Sequence, residues 1–297
     1  MMKRIFGFLL SVVMIAGTVL PGFSVSADAV TEKSYLSLGA DLTASEKEKV
    51  LELLGVDEDD LGEYTVGTVT NEEEHDYLDD YVSASVIGSR ALSSVLVVTE
   101  DDGSGIDVET SNITYCTSGM YRNALATAGI SDATIKVAGP FNITGTAALV
   151  GVMKAYESMT GEEISEESKD AATNELVATG EIAGSLGDSD KAEQLFALIK
   201  EKVVSENLDS EEEIMDAIED GCKELEVTLS DDDKQLIKDL MQKIADLDLD
   251  ANQLKEQAKA IYQKLSDMGI DITSESFWQK VKNVINSIID GIMGLLS

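Results

Sequence analysis

The spacing of apolar residues changes near residue 160 and predicts two structural regions. Before that point, short β-branched runs alternate with short amphipathic stretches, whereas every later apolar run has the 3.6-residue period of a helix. We therefore predict an α+β fold, with a mixed α/β domain over residues 28–160 and an α-helical domain over residues 161–297. Short polar links between the later helices predict antiparallel neighbours in a helical bundle.

About five strands and four helices are predicted in the first region. The strands are predicted at 35–38, 64–70, 93–100, 106–114 and 134–138, and Pro140 is predicted to end the last of them. The helices are predicted to start at Thr43, Asn71, Thr117 and Gly145. Thr43 and Glu46 have the spacing of a capping box. The glycine-containing segment 101–105 predicts a hairpin between the third and fourth strands.

Amphipathic helices are predicted throughout the second region, near residues 163–179, 189–205, 210–226, 230–247, 251–268 and 274–296. The last of them carries a recurrent apolar face that includes Phe277, Trp278, Val281, Ile285 and Ile288. Its lysines and asparagines argue against a membrane span. Docking on the bundle is the favoured role, and binding to an envelope partner or a membrane surface, or self-association, are the alternatives.

The first 27 residues have the pattern of a Sec-type signal peptide. Lys3 and Arg4 precede an apolar run over residues 5–20, and the small residues of 25–27 suit a signal peptidase. The apolar run is too short and wrongly flanked for a lasting membrane anchor. We therefore predict a mature chain that begins near Asp28, has no transmembrane span, and is secreted or associated with the cell envelope.

The chain is strongly acidic, with a formal net charge of -35, and removal of the two leader cations makes it more negative. Such a surface repels nucleic acid and anionic lipid headgroups. The acidic stretch 246–250 has the first three ligand positions of an EF-hand, but Ala251 and Gln257 replace the required glycine and glutamate. We therefore expect no cofactor, and only weak surface binding of Ca²⁺ stays open.

Candidate reactive groups are few. His75 is the single histidine, which excludes zinc sites built on several histidines. Cys116 directly precedes a predicted helix, where a thiolate is favoured, so Cys116 and His75 form a candidate reactive-thiol pair. A surface histidine and an inert thiol are the favoured alternative. Cys222 lies on an apolar helix face and is expected to be a buried free thiol rather than the partner of Cys116 in a disulfide.

Arg90 and Arg122 are the two arginines that follow the leader. Arg90 lies just before an apolar strand, where a guanidinium suits bidentate binding of a carboxylate. An ion pair within the α/β domain is the favoured interpretation. The alternative makes Arg90, with Arg122 as a second candidate, an anchor for an anionic ligand.

Several sequence blocks resemble the YpuA-like exported proteins of Gram-positive bacteria. The blocks are Leu38–Leu42, Thr70–His75, Ile87–Ala91, Met120–Leu125 with Ala128-Gly129, and Gly145–Leu149 with Lys154–Tyr156. The resemblance spans essentially the whole mature chain, and the segment 138–141 departs slightly from the family pattern. It implies export and a shared architecture. The family is of unknown function, so the resemblance implies no catalytic residue, cofactor or substrate.

Taken together, these features favour an exported acidic protein that binds or scaffolds at the cell envelope or outside the cell without catalysing a reaction. A secreted hydrolase that acts on cell-wall polymer or peptide is one alternative. A binder of an anionic small ligand through Arg90 is the other.

Overall fold

Five strands form one mixed sheet. The computed structural model describes residues 34–101, 104–247, 249–252 and 254–255. The strands are β1 (Ser34–Gly39), β2 (Thr65–Val69), β3 (Ser94–Thr99), β4 (Ile106–Ile113) and β5 (Ala133–Ile143). Their order is β2-β1-β3-β5-β4, and β3 runs antiparallel to both of its neighbours. Because the pairs β1–β2 and β4–β5 are parallel, β1, β2, β4 and β5 all point the same way.

β3 and β4 are not neighbours, so the predicted hairpin across residues 101–105 is wrong. β5 lies between them and pairs antiparallel with β3 and parallel with β4. The burial of the strands explains this order. β4 exposes Asp107 and Glu109, which suits an outer strand, whereas β5 buries Ile135 and Val137 in the middle of the sheet.

β5 runs to Ile143, so the prediction that Pro140 ends this strand is also wrong. β3 pairs with β5 only as far as Ala138. In the described sheet, the later residues of β5 are paired by β4 alone. On the side of β5 that β3 no longer pairs, the missing N–H of Pro140 removes no hydrogen bond between strands.

Helices cover both faces of the sheet. α1 (Ala44–Leu54) packs on one face through Val50, Leu51 and Leu54. The other face is covered by α4 (Ser118–Thr127) and α5 (Thr146–Thr160), with α2 (Asn71–Leu78) and the short α3 (Ala84–Ile87) beside them. A 3₁₀ helix (Glu58–Glu63) connects α1 to β2. Apolar residues therefore line both sides of the sheet, as the near-continuous burial of β1 and β3 requires.

The start of α2 differs from the prediction by one residue. Thr70, not Asn71, is the N-cap: its hydroxyl accepts the N–H of Glu73 at 3.2 Å, and the Glu73 carboxylate accepts the N–H of Thr70 at 2.8 Å. The cap falls on Thr70 because this residue continues the extended backbone of β2. Since Glu73 completes the capping box, Glu74 is turned into the protein interior.

Four helices follow: α6 (Glu166–Leu186), α7 (Ser189–Ser205), α8 (Glu211–Glu224) and α9 (Asp231–Ala245). They share a core to which each contributes apolar side chains, among them Ile182, Phe196, Ile218 and Ile237. The second region is thus helical as predicted. The helix predicted over residues 251–268 lies outside the described residues apart from 251, 252, 254 and 255, and the helix predicted over 274–296 lies wholly outside them.

A buried ion pair joins α4, α6 and α7. The Lys200 ammonium lies 3.0 and 3.1 Å from the two carboxylate oxygens of Glu175 and also donates to the backbone oxygen of Asn123 and the hydroxyl of Thr127. The Thr127 hydroxyl donates to Glu175. Lys200 is 1% exposed and Glu175 is 0% exposed. Desolvation lowers the pKa of Lys200, and the Glu175 charge opposes that effect.

The core of the sheet continues past residue 160, because Ala172, Leu176 and Val177 of α6 pack in the same cluster as β3 and β5. The domain boundary at residue 160 stays a prediction. The signal peptide also stays a prediction, since residues 1–27 lie outside the described ranges. None of the helices in those ranges combines the length and apolar character that a membrane crossing needs.

Candidate functional site

The four strands that share one direction all lead into helix N-termini at the same end of the sheet. β1, β2, β4 and β5 are followed by α1, α2, α4 and α5. We call this end the carboxyl edge. It comprises the connecting segments 40–43, 70, 114–117 and 144–145, together with the loop 88–93 that precedes β3. In open α/β sheets, the carboxyl ends of parallel strands are where ligands bind.

Close backbone packing holds the loop 88–93 at this edge. Gly39, the last residue of β1, lies so near the loop that a Cβ atom there would be 2.3 Å from the backbone oxygen of Ala91. The Gly39 N–H donates to the hydroxyl of Ser94 at 3.0 Å. The Ala91 N–H donates to the Asp41 carboxylate at 2.8 Å. The loop is therefore fixed against the end of β1 by hydrogen bonds and by the absence of a side chain at Gly39.

Arg90 is exposed at the carboxyl edge, and its guanidinium is bound to Glu46. Its two terminal nitrogens lie 3.2 and 2.6 Å from the two carboxylate oxygens of Glu46, and it also donates to the backbone oxygen of Asp41 at 2.8 Å. This is the ion pair within the α/β domain that the sequence favours, and it lies at the surface. An anionic ligand bound by Arg90 stays a prediction, and such a ligand would have to compete with Glu46.

Replacing Arg90 should change the titration of Glu46. The hydrogen bond from Arg90, with further ones from Thr43, lowers the pKa of Glu46 from 4.5 to about 2. The stability linked to this carboxylate is present above its ordinary pKa and is lost as the pH falls towards the lowered value. In Arg90→Gln the Glu46 pKa should rise but stay below 4.5, because the Thr43 contacts remain. Carboxyl ¹³C NMR titration measures this.

Lys47→Gln is the matched control, because Lys47 pairs with Glu58 instead. We expect the pKa of Glu46 to be unchanged in that variant. An equal pKa of Glu46 in wild type and Arg90→Gln would show that the guanidinium does not bind the carboxylate in solution.

Glu74 is a buried acid at the carboxyl edge, only 1% exposed. One carboxylate oxygen accepts the Thr146 hydroxyl at 2.8 Å, and the other faces the Asn71 amide at 3.4 Å. Desolvation raises the pKa of Glu74, although these hydrogen bonds partly oppose the rise. Since Thr146 is the first residue of α5, Glu74 ties α2 to the start of α5.

His75 faces the surface beside Glu74 and contacts two acceptors. Its Nδ1 is 2.6 Å from the Asp79 carboxylate, and its Nε2 is 3.3 Å from the backbone oxygen of Gly88. The hydrogen bond to Asp79 is the largest cause of a raised His75 pKa. Both ring nitrogens are thus engaged by groups other than Cys116.

Cys116 is a buried thiol, 2% exposed, directly before Thr117, the N-cap of α4. Burial raises its pKa to about 12, an effect that the neighbouring Tyr121 opposes and the Glu74 charge increases. The Tyr121 hydroxyl itself donates to the backbone oxygen of Gly145 at 2.5 Å. This setting favours the thiol over the thiolate, and a reactive role for Cys116 with His75 stays a prediction.

Cys116 should therefore resist thiol reagents in the native protein. In Cys222→Ala, which leaves Cys116 as the single cysteine, labelling at pH 8 should be at least roughly a thousandfold slower than in urea, because the pKa near 12 reduces the thiolate fraction. The absorbance of the released reagent measures the rate. Native labelling as fast as labelling in urea would contradict the burial of this thiol.

The remaining predicted groups lie elsewhere. Arg122 donates through Nε to the backbone oxygen of Ile106 at 3.2 Å, at the opposite end of β4 from the carboxyl edge. The structure therefore does not bring Arg90 and Arg122 together.

Cys116 and Cys222 are both free and buried, which confirms the prediction for Cys222. The apolar residues predicted on the terminal helix, such as Phe277, lie outside the described ranges, as does Asp248 of the acidic stretch.

Glu74 was not among the predicted site residues. Its signal in the sequence is its position four residues before the buried Leu78, which places both on one face of α2. Thr146 and Tyr121 were not predicted either, because the contacts that join them to this edge come from distant parts of the chain.

The sequence blocks that carry the resemblance meet at the carboxyl edge. The Leu38–Leu42 block contacts the Ile87–Ala91 block through Asp41, and the Thr70–His75 block contacts the Gly145–Leu149 block through Glu74. Tyr121, in the block on α4, reaches Gly145. One end of the sheet thus gathers residues from the blocks at 38–42, 70–75, 87–91, 120–125 and 145–149.

Comparisons with known proteins agree with this resemblance. A protein of Bacillus subtilis (strain 168), described as "Uncharacterized protein YpuA", is 38% identical over 296 residues, which cover 99% of each chain. No solved structure matches. A family model described as "Protein of unknown function (DUF1002)" matches residues 38–261, which include the end of β1, the strands β2 to β5, the carboxyl edge and the helices from α1 to α9. The chain therefore belongs to this DUF1002 family.

Proposed function

We propose that the chain is an exported, non-enzymatic binding or scaffold protein of the cell envelope, and that it binds through the carboxyl edge of its sheet. The observation that carries this proposal is the state of the reactive side chains at that edge. Arg90 is held by Glu46, His75 is held by Asp79, and Cys116 is buried with a raised pKa. Two of the groups that a catalytic mechanism would use, the guanidinium and the imidazole, are thus bound to carboxylates, and the third, the thiol, is buried.

The exposed side chains of the same edge suit contact with a partner. Phe141, near the end of β5, is 49% exposed, and Asn142 and Thr114 are exposed nearby on β5 and after β4. Aromatic residues are enriched in the centres of protein interfaces. The leader-like segment over residues 1–27 supports export, and the acidic charge of the chain supports solubility outside the cytoplasm.

Binding to isolated envelopes of a Gram-positive host tests the surface. The mature chain, beginning at Asp28, should be retained, and Phe141→Ser should weaken retention about tenfold if Phe141 is an interface anchor. Val66→Ser is the matched control, because Val66 is similarly exposed at 44% but lies on β2 away from the carboxyl edge. Equal retention of both variants and wild type would exclude this surface. A chain lacking residues 274–297 tests the terminal helix in the same assay. Retention equal to that of the wild type would show that this helix is not needed for binding.

Export is tested separately by expressing the full chain. N-terminal sequencing should find Asp28 at the start of the protein recovered outside the cytoplasm, and Leu10→Arg, which interrupts the apolar run, should prevent processing. A wild-type chain that keeps its first 27 residues and stays in the cytoplasm would contradict export.

A further inference from the structure

The two nitrogens of the His75 ring each face an oxygen that can only accept a hydrogen bond. Nδ1 lies 2.6 Å from the Asp79 carboxylate, and Nε2 lies 3.3 Å from the backbone oxygen of Gly88. A neutral imidazole carries one N–H and one lone pair, whereas an imidazolium carries two N–H groups. Both contacts can therefore be hydrogen bonds only when the ring is protonated.

Loss of the proton should affect the two contacts unequally. The Asp79 carboxylate is the stronger acceptor because a hydrogen bond to a charged group is shorter and stronger than one between neutral groups. The remaining proton should stay on Nδ1, so that the Nε2 lone pair faces the Gly88 oxygen. That pair of groups repels, and the Gly88 end of the loop loses its hydrogen bond to His75.

The Gly88 oxygen belongs to the loop 88–93, which carries Arg90. On its α2 side, this loop is held at Gly88 by His75 and by the Asn71 amide at 3.4 Å. On its β1 side, it is held by Asp41, which accepts from the Ala91 N–H and from Arg90. Of these two hydrogen bonds to the Gly88 oxygen, loss of the His75 contact would leave the one from Asn71.

The charges around the ring favour its protonated form. Asp79 acts through its hydrogen bond and its charge, and Glu74 acts through its charge. Both residues belong to α2 or its C-cap, while the loop after α3 contributes the neutral backbone oxygen of Gly88. The position of His75 in the last turn of α2 also favours a cation, because the helix dipole is negative there. The pKa of His75 is raised as a result, with the Asp79 hydrogen bond as the largest cause.

We propose that His75 is a pH-sensitive clasp, which fastens the loop 88–93 to α2 when the imidazole is protonated and releases the Gly88 end when Nε2 loses its proton. The folded state favours the protonated imidazole of His75 more than the unfolded state does. The contribution of the clasp to folding stability is therefore fully present below the ordinary histidine pKa. It is lost as the pH rises through the higher pKa of the folded protein. The clasp would adjust the shape of the carboxyl edge, and its effect on binding rests on the proposed function.

The single histidine makes the test specific. Long-range ¹H–¹⁵N NMR of the mature chain should show both ring nitrogens protonated at low pH, with a midpoint above the ordinary value of 6.5. The amide signals of Ser89 and Arg90 should shift with the same midpoint. The amide of Gly129, which follows α4, is an internal reference that should show no such step.

Two variants separate the clasp from a general effect of pH. Asp79→Asn should lower the midpoint of His75, because it removes the charged partner, and should move the step in the loop amides by the same amount. His75→Gln should abolish that step. A midpoint at or below 6.5, loop amides that ignore the titration, or a step that persists in His75→Gln would each overturn the proposal. No ligand enters this experiment, so its outcome is independent of whether the carboxyl edge binds a partner.

Discussion

Lys200→Met should destabilise the protein by about 3–5 kcal/mol, the range found when one partner of a buried ion pair is removed. Glu175 is fully buried between α4, α6 and α7, and in wild type both of its carboxylate oxygens contact the Lys200 ammonium. Methionine fills the space of the lysine stem but leaves this carboxylate without its counter-charge. The midpoint and slope of urea unfolding, followed by circular dichroism, give the change in the free energy of unfolding.

The double variant Lys200→Met/Glu175→Leu is the matched control. Apolar replacement of a whole buried pair is often neutral or stabilising, so this variant should recover most of the loss. The Thr127 hydroxyl, which donates to Glu175 in wild type, could then donate to the backbone oxygen of Asn123, four residues before it. A second control is Lys49→Met, which removes an exposed pair with Glu52 and should change stability by less than about 0.5 kcal/mol. Equal effects of the Lys200 and Lys49 substitutions would contradict the burial of the Lys200–Glu175 pair.

Gly39→Ala should destabilise the protein strongly, with a cost of about 3 kcal/mol. The added Cβ would lie 2.3 Å from the Ala91 oxygen and 2.7 Å from the Leu92 Cα. These are backbone atoms, so a change of rotamer cannot relieve the overlap. The end of β1 and the loop 88–93 would have to separate, which would strain the hydrogen bond between Gly39 and Ser94.

Two other glycines provide controls of the same chemical change. A Cβ at Gly62 or Gly184 meets nothing within 4 Å, and neither residue has a positive φ. Gly62→Ala should be close to neutral, and Gly184→Ala, inside α6, should stabilise by about 0.5–1 kcal/mol because alanine favours the helix. Urea unfolding of the three variants measures the differences. A Gly39→Ala protein as stable as Gly62→Ala would show that the loop 88–93 does not pack against β1 as described.

The sequence predicts most of the individual helices and strands because their signals are local. α7 spans the predicted residues, and α1 begins at the predicted cap, where Thr43 and Glu46 form the capping box. The apolar period of each helix and the cap at its start lie within a few residues of one another. A single sequence is therefore sufficient to recognise them.

The order of the strands was not predictable in the same way. The segment between β3 and β4 has the residues of a hairpin turn, yet β5 pairs with both strands. The choice of partner depends on how much apolar surface each strand buries in the finished sheet, and that is settled by residues far apart in the chain. The extension of β5 past Pro140 has the same origin, because the proline is tolerated only where β3 no longer pairs.

The candidate site was predicted only in part. Arg90 and His75 were identified because arginine and histidine are rare in this chain, and the ion pair of Arg90 was the favoured interpretation. The buried charges of Glu74, Glu175 and Lys200 were missed, since a charged residue in an acidic sequence is expected to face water. Glu175 and Lys200 each lie on an apolar helix face, three residues after the buried Ala172 and four residues after the buried Phe196, and that position was the available signal.

The central place of β5 sets the order in which a newly made chain can fold. Until residues 133–143 have been synthesised, β3 and β4 each lack a partner that the finished sheet requires. A nascent chain that ends before residue 133 can form β1 and β2 with β3 but cannot close the sheet over α4. Fragments of that length should therefore be prone to association through unpaired strands.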